Sequence, residues 1–325
     1  TMSRTWDHPP WDDVPVSQHA TPPSIGIVGF GRVGAAFAAG FAACGHPIAG
    51  VTARRASTRD RVDAIVPSAP VLEPVEVIAR ADVTFLTVPD DAVPALAGTL
   101  AGAVRPGTVV AHACGVSGLE ILDPLSAAGA LAVAIHPVMT FSGSSLDVQR
   151  MRGAPFAVSA PDLYRPVATL LVEELGGVPF WVAGADRPAY HAALCQAANH
   201  CQVLIDSARG ILQALGVDDP EGLLRPVVTA AVDGALRDGI GALTGPASRG
   251  DVGTLAVHVR GLDALSAGAR ERDGDPAAGA GELYRTMARA TLAAAWRAGR
   301  IDDEHYAAGL DALRLGAGPG AGAAS

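Results

Sequence analysis

Two stretches of this chain place chemically useful residue types at useful spacings. The first is Gly29-Phe30-Gly31-Arg32-Val33-Gly34, a GxGxxG run entered from the apolar stretch Ile25–Val28 and followed by an alanine-rich stretch to Cys44. In such a run Gly29 permits a tight turn, Gly31 lets a pyrophosphate approach the backbone, and Gly34 lets the next helix pack closely on the strand. The helix N-terminus then faces the phosphates. The second stretch is Tyr190-His191, followed by Cys195 and Asn199. Residues 191, 195 and 199 are spaced by four, so in an α-helix they share one face.

Asn199 is the only asparagine in the 325 residues, and there is no lysine: all 24 Lys+Arg residues are arginine. An amide offers one acceptor and two donors, which suits holding a carbonyl or hydroxyl beside a nicotinamide ring. The competing assignment is a structural cap or bridge. His191 has an unperturbed pKa near neutrality and could protonate an alkoxide as hydride arrives, or it could simply pack and donate to a backbone carbonyl. Cys195 reads as a small core residue. A metal site from His191, Cys195, His200 and Cys201 is not expected, because His200 falls on the opposite helix face.

The strand after the first helix, "PIAGVTA", ends without the acidic residue that usually binds the ribose hydroxyls of NAD. It leads instead into Thr52-Ala53-Arg54-Arg55-Ala56-Ser57-Thr58. Arg54, Arg55 and Ser57 suit a 2′-phosphate, so the expected cofactor is NADP. Later apolar segments repeat the strand pattern. "ADVTFLTVPDDAV" runs into Val88-Pro89, "GTVVAHACG" ends at His112, Ala113 and Cys114, and "ALAVAIHPVMTF" reaches His136-Pro137. Two more strands, at 154–160 and 177–183, flank a helix at about 162–175. Alternating strands and helices predict a doubly wound, mostly parallel Rossmann sheet. Ligands of such sheets sit at the carboxyl ends of the strands, which makes Val88, Pro89 and Cys114 candidate cofactor contacts. His136, at the same edge, competes with His191 as proton donor or substrate anchor.

From Asp186 onward the strand signals stop. One long helix is predicted at about 187–215, another at about 220–237, then a Gly-rich loop at 241–255 and more helices to about Leu315. In that loop Thr244, Arg249 and Asp251 form a second candidate site for substrate. Arg249 can grip a carboxylate bidentately, while Asp251 or Ser248 equally suits a helix N-cap. The domains expected are a flexible tail at 1–22, an NADP-binding Rossmann domain at 23–185, a helical substrate and dimerisation domain at 186–315, and a flexible tail at 316–325.

Composition bounds the rest. The chain is 49% hydrophobic, enough for two cores at roughly 100–200 residues per domain. A net charge of −9 with dispersed arginines argues against a nucleic-acid partner. No apolar run reaches the ~18–20 residues of a membrane span, and the N-terminus has no apolar signal core. Four cysteines without metal or disulfide spacing suit a reducing cytoplasm.

Three segments carry a family resemblance. They are Ile135-His136-Pro137 with Thr140-Phe141, Tyr190-His191-Ala192-Ala193 with Asn199, and Thr244-Gly245-Pro246 with Arg249-Gly250-Asp251. Over about residues 24–315 the chain resembles a family of Rossmann-like oxidoreductases with a helical C-terminal domain of uncharacterised function. That family lies within the superfamily of 6-phosphogluconate dehydrogenase, ketopantoate reductase and pyrroline-5-carboxylate reductase. The resemblance implies an NADP-dependent reductase of a small carbonyl compound bearing a carboxylate, with 2-dehydropantoate (ketopantoate) as the leading substrate. It implies His191, Asn199 and His136 as catalytic residues and Tyr190, Thr244, Arg249 and Asp251 as substrate contacts. A homodimer through the helical domain is expected. The alternatives are a cyclic imine such as pyrroline-5-carboxylate, an arogenate- or prephenate-type acid, or a non-catalytic NADP-binding sensor. The better-known relatives place a catalytic lysine four residues before the asparagine. This chain has Cys195 there, so lysine acid catalysis is excluded.

Overall fold

A computed structural model describes residues 21–144, 146–269, 277 and 279–314. The tails expected at 1–22 and 316–325 lie outside the described residues, apart from positions 21 and 22. The chain divides into two compact units between Ala193 and Leu194.

The first unit is a seven-stranded sheet in the order β2-β1-β3-β4-β5-β6-β7. Its strands are β1 (Ile25–Val28), β2 (Ile48–Val51), β3 (Val83–Leu86), β4 (Val109–His112), β5 (Leu131–Pro137), β6 (Pro155–Ser159) and β7 (Val178–Trp181). All neighbouring strands are parallel except β5 and β6. Strands β1, β3 and β4 are short, apolar but for Thr84 and His112, and buried at every position, as expected of a sheet covered on both faces. The helices are α1 (Arg32–Ala43), α2 (Ala56–Ile65), α3 (Pro74–Arg80), α4 (Val93–Leu100), α5 (Asp123–Ala127), α6 (Leu146–Met151) and α7 (Arg165–Glu174).

One face of the sheet packs on α1 and α7 through Phe37, Phe41, Phe85, Phe156, Leu171 and Val172. The Phe37 and Phe85 rings meet edge-on at 5.2 Å. The other face packs on α4 and α5 through Leu86, Val93, Leu100, Val110, Leu122 and Leu125. Both layers leave the carboxyl ends of β1, β3, β4 and β5 as one edge. Helix α8 (Arg187–Cys195) carries the chain out of this unit.

Among the described residues the second unit is helical throughout. It contains a π-helical turn at Gln196–His200, then α9 (Cys201–Ala214), α10 (Pro220–Asp238), α11 (Pro246–Arg249), α12 (Val252–Ala269), α13 (Ala280–Arg297) and α14 (Asp303–Ala312). Its core joins α12, α13 and α14 through Leu255, Val259, Leu292, Ala295 and Leu313. The 241–255 segment is not one loop. It folds a helical turn at Pro246–Arg249, stopped by Gly250 at φ +68°, before α12 begins.

The helix expected at 187–215 is observed as α8, the π turn and α9, which run without a break from Arg187 to Ala214. The i→i+5 bonding of the π turn inserts an extra residue into the turn, so Asn199 falls short of a full turn after Cys195. That deficit is about as large as the excess four residues make in an α-helix, so the two positions still lie on nearly one face.

Candidate functional site

The glycine run forms a cradle. Gly29 sits at φ +103°, and a Cβ there would lie 2.7 Å from the Thr87 carbonyl, so no other residue fits the turn. Its N–H donates to Thr52 Oγ1 at 2.8 Å, and its carbonyl accepts from Thr87 Oγ1 at 2.6 Å. A Cβ on Gly31 would meet nothing within 4 Å, whereas one on Gly34 would press on Ile27 at 2.9 Å. The middle glycine thus faces open space and the last faces the packed strand. Phe30 turns its side chain into the core; Arg32 is exposed at the first turn of α1, and Val33 is half-buried beside it.

At the end of β2 a cavity of about 560 Å³ is lined by Thr52, Arg54, Arg59, Leu72, Glu73 and Glu76, among others. Arg59 is held there by its Nε–H, which donates to the Ala53 carbonyl at 3.2 Å. Arg55 is the N-cap of α2 and Ser57 lies in its first turn, and neither lines the cavity. Glu73 and Glu76 are engaged with each other's backbone as the capping box of α3. Their carboxylates are thereby accounted for by helix architecture.

At the carboxyl edge three groups can be sorted by their bonds. His112 is fully buried. Its Nε2–H donates to the Gly118 carbonyl at 2.8 Å, and its Nδ1 accepts the Cys114 N–H at 3.2 Å. Burial lowers its pKa to about 4, so it is a neutral structural ring. Burial first, then the charge of Asp90, pushes the Cys114 thiol well above its usual range, which leaves it no thiolate character. Val88 and Pro89 follow β3, the first half-buried and the second exposed.

His136 is the reactive candidate. Its Nδ1 lies 2.8 Å from the Tyr190 hydroxyl, and its ring meets the His191 ring edge-on at 5.7 Å. Gly115 makes this possible: a Cβ there would stand 2.9 Å from His136 Nε2 and collide with His191. Burial, followed by the charges of His191, Arg187 and His112, lowers the His136 pKa to about 4. Burial pushes the Tyr190 phenol up to about 12, with Arg187 opposing it. Phe180 packs its ring edge against Tyr190 at 5.9 Å. The first unit therefore brings His136, Tyr190 and His191 into one cluster over the ends of β4 and β5.

Arg187 belongs to the same neighbourhood and was not picked out by sequence. A cation in the first turn of a helix opposes the macrodipole, and that mismatch is the signal that could have found it.

The remaining candidates lie in the second unit. Asn199 is exposed within the π turn. Thr244, Arg249 and Asp251 are exposed around α11. Asp251 caps α12, accepting from the Thr254 N–H at 3.0 Å and hydroxyl at 2.7 Å, and these bonds hold its carboxyl below the usual range. Ser248 instead donates back to the Gly245 carbonyl at 2.9 Å. Arg249 has no capping part.

The chain's relatives are recognisable at the level of domains and fold. A Rossmann-like domain matches residues 12–137, and DUF2520, a domain of unknown function, matches residues 154–291. No curated protein matches the chain. Among solved structures, a candidate NADP oxidoreductase from Bacteroides fragilis is 18% identical with a TM-score of 0.69, covering 84% of this chain and 99% of that one. A Thermotoga maritima protein is 21% identical with a TM-score of 0.59, covering 85% and 100%. The reductive aminase of Aspergillus terreus, in complex with NADPH4, cyclohexanone and allyl amine, is 19% identical with a TM-score of 0.58, covering 89% and 98%. At these identities the likeness is one of fold.

Proposed function

We propose, from the premise that the chain carries a Rossmann-like domain joined to a DUF2520 domain, that it is an NADP-dependent oxidoreductase reducing a small carboxylate-bearing carbonyl or imine compound. The observation that carries this is the pairing of an open Gly31 with a cavity at the end of β2 lined by Arg54 and Arg59. The first accommodates a pyrophosphate against backbone N–H groups, and the second offers two guanidinium groups to a phosphate.

Reduced nicotinamide would supply the hydride when bound. The protein's own residues would do the rest. Backbone N–H groups at the start of α1 bind the phosphates. Tyr190 and His136 hold a proton 2.8 Å apart at the strand ends, where a carbonyl oxygen gaining negative charge must be protonated. His191 closes the same cluster. Positioned proton donors of this kind contribute ~10²–10⁴-fold to rate. Asn199, Thr244 and Arg249, all exposed on the second unit, are the residues proposed there as substrate contacts. The location of Asn199 in a π turn supports its functional assignment, since such turns concentrate at functional sites.

Ketopantoate is the first substrate to test. A cyclic imine is the second reading, favoured by the fold shared with the reductive aminase and with an imine reductase of Streptomyces aurantiacus at 16% identity and a TM-score of 0.58. Cofactor oxidation followed against a panel of 2-oxo acids and cyclic imines tests both. NADPH consumption by neither class would reject catalysis in favour of a binding role.

A homodimer through the helical unit is part of this proposal. Val203, Leu223, Val227 and Leu236, on α9 and α10, are all at least half exposed, and covering them against a second copy would remove apolar surface from water. Sedimentation at micromolar concentration should give twice the chain mass; a single-chain mass would reject the dimer.

A further inference from the structure

The first turn of α8 holds a cation that the proposed chemistry does not use. Arg187 is completely buried. Burying a charge without a counter-ion is costly, and this one also faces the positive end of its own helix. Its guanidinium makes four hydrogen bonds. Nε–H donates to Ser159 Oγ at 2.7 Å, one terminal nitrogen donates to the Cys114 carbonyl at 2.8 Å, and the other donates to the carbonyls of Ala134 and Ala157 at 3.2 and 3.0 Å. Ser159 Oγ passes its own proton to the Val182 carbonyl at 2.6 Å. None of the four partners is a carboxylate. Among the described residues the one carboxylate bearing on this cation is Glu120, behind Tyr190 and Cys114, and its Oε1 already accepts the Gly118 N–H at 2.8 Å.

The clamp ties three places to one helix turn: the loop after β4, the middle of β5 and the far half of β6. Tyr190 stands three residues after Arg187, on the same helix face. Its hydroxyl meets His136 Nδ1 at 2.8 Å.

We propose that Arg187 is the positioning residue of the His136–Tyr190 pair: it pins the turn that presents Tyr190 and, as a buried cation without a carboxylate partner, confines the pair to its neutral, hydrogen-bonded form. The electrostatic part follows from position. A proton added to His136 would put a second positive charge beside Arg187 in a region where water does not screen it. The groups facing His136 are Tyr190, His191 and Arg187 from α8 and His112 from β4. Cys114, with Asp90 behind it, and Glu120 bear on Arg187. Burial is the largest cause of the low His136 pKa, and His191, Arg187 and His112 all push the same way. An anion formed near the pair, by contrast, is stabilised by the same cation. The donor offered to a developing alkoxide is thus an uncharged pair with anion-favouring surroundings. This catalytic meaning rests on the His136 cluster being the reductive centre, whereas the test below needs no substrate, so the two can fail separately.

The test is histidine side-chain NMR on the full ligand-free chain, with His136 assigned through His136→Gln. In the native protein His136 should stay neutral down to about pH 4. In Arg187→Met its midpoint should rise by roughly half a pH unit, since burial and His191 each contribute more than Arg187. In Arg187→Lys, which keeps the charge and loses the fork, it should stay below the Arg187→Met value. An Arg187→Met protein with native circular dichroism and an unchanged His136 midpoint overturns the proposal. If Arg187→Met does not fold, the other two proteins decide. A His136 that titrates near its unperturbed value of ~6.5 in the native protein or in Arg187→Lys overturns it equally.

Discussion

Thr52 and Gly29 share a hydrogen bond across the first two strands: the Gly29 N–H donates to Thr52 Oγ1 at 2.8 Å. Thr52 also receives the Phe30 N–H on its carbonyl at 3.3 Å. One residue therefore ties the glycine turn to the cavity it lines with Arg54 and Arg59. Thr52→Val keeps the shape and removes the acceptor, leaving a part-buried N–H unpaired at a cost of about 1–3 kcal/mol. Denaturant unfolding should show that loss, and Thr52→Ser should restore the native value.

Cofactor preference should follow the arginines that line the cavity. The native protein should bind NADPH at least about tenfold tighter than NADH, a difference of about 1.4 kcal/mol. Arg54→Ala combined with Arg59→Ala should erase most of it, while Arg55→Ala should not, because Arg55 caps α2 outside the cavity. Titration of nucleotide fluorescence checks all three proteins.

Gly115→Ala should damage the site without damaging the fold. The added methyl would stand 2.9 Å from His136 Nε2, so the imidazoles must move while the glycine cradle stays intact. Turnover should fall at least tenfold with NADPH affinity unchanged, since small displacements at a reacting centre cost rate steeply. Native turnover in Gly115→Ala would remove the His136 cluster from the chemistry.

Asn199→Ala separates holding a substrate from holding the fold. Asn199 is exposed, so its removal should shift stability by no more than about 0.5 kcal/mol. Turnover should fall with NADPH affinity unchanged. A lower melting temperature with native turnover would mean that the asparagine serves structure.

Stability should depend on pH through the buried His112 and the half-buried His136. His112 and His136 have folded pKa values of about 4 against 6.5 unfolded. Between those values the unfolded chain binds protons that the native chain refuses. Stability is therefore full above pH 6.5 and falls toward pH 4, by about 1 kcal/mol per pH unit for each ring. Denaturant midpoints measured from pH 7 to pH 4.5 should fall continuously. In His112→Gln the slope should be roughly halved.

The Rossmann half was legible because its signals are local. A glycine's missing Cβ, a strand's apolar run and a helix's period act within a few residues, so Gly29–Gly34, the strand ends and His136 could be placed from sequence. The helical second half was legible for the same reason. The missing acid after β2 pointed to arginines, but which arginines line the cavity depends on where α2 starts: Arg55 became its cap, and Arg59, one turn in, faces the cavity. The face shared by Cys195 and Asn199 was read on α-helical spacing, and the π turn at Gln196–His200 left no mark in that spacing. Asp251 proved to be a cap, and its chemistry could be read either way from composition alone. Arg187 was decided wholly by tertiary structure. Its partners, Cys114, Ala134, Ala157 and Ser159, lie 28 to 73 residues away along the chain. Three of them are backbone carbonyls, which every residue possesses and which therefore leave no mark in sequence until the sheet brings them together.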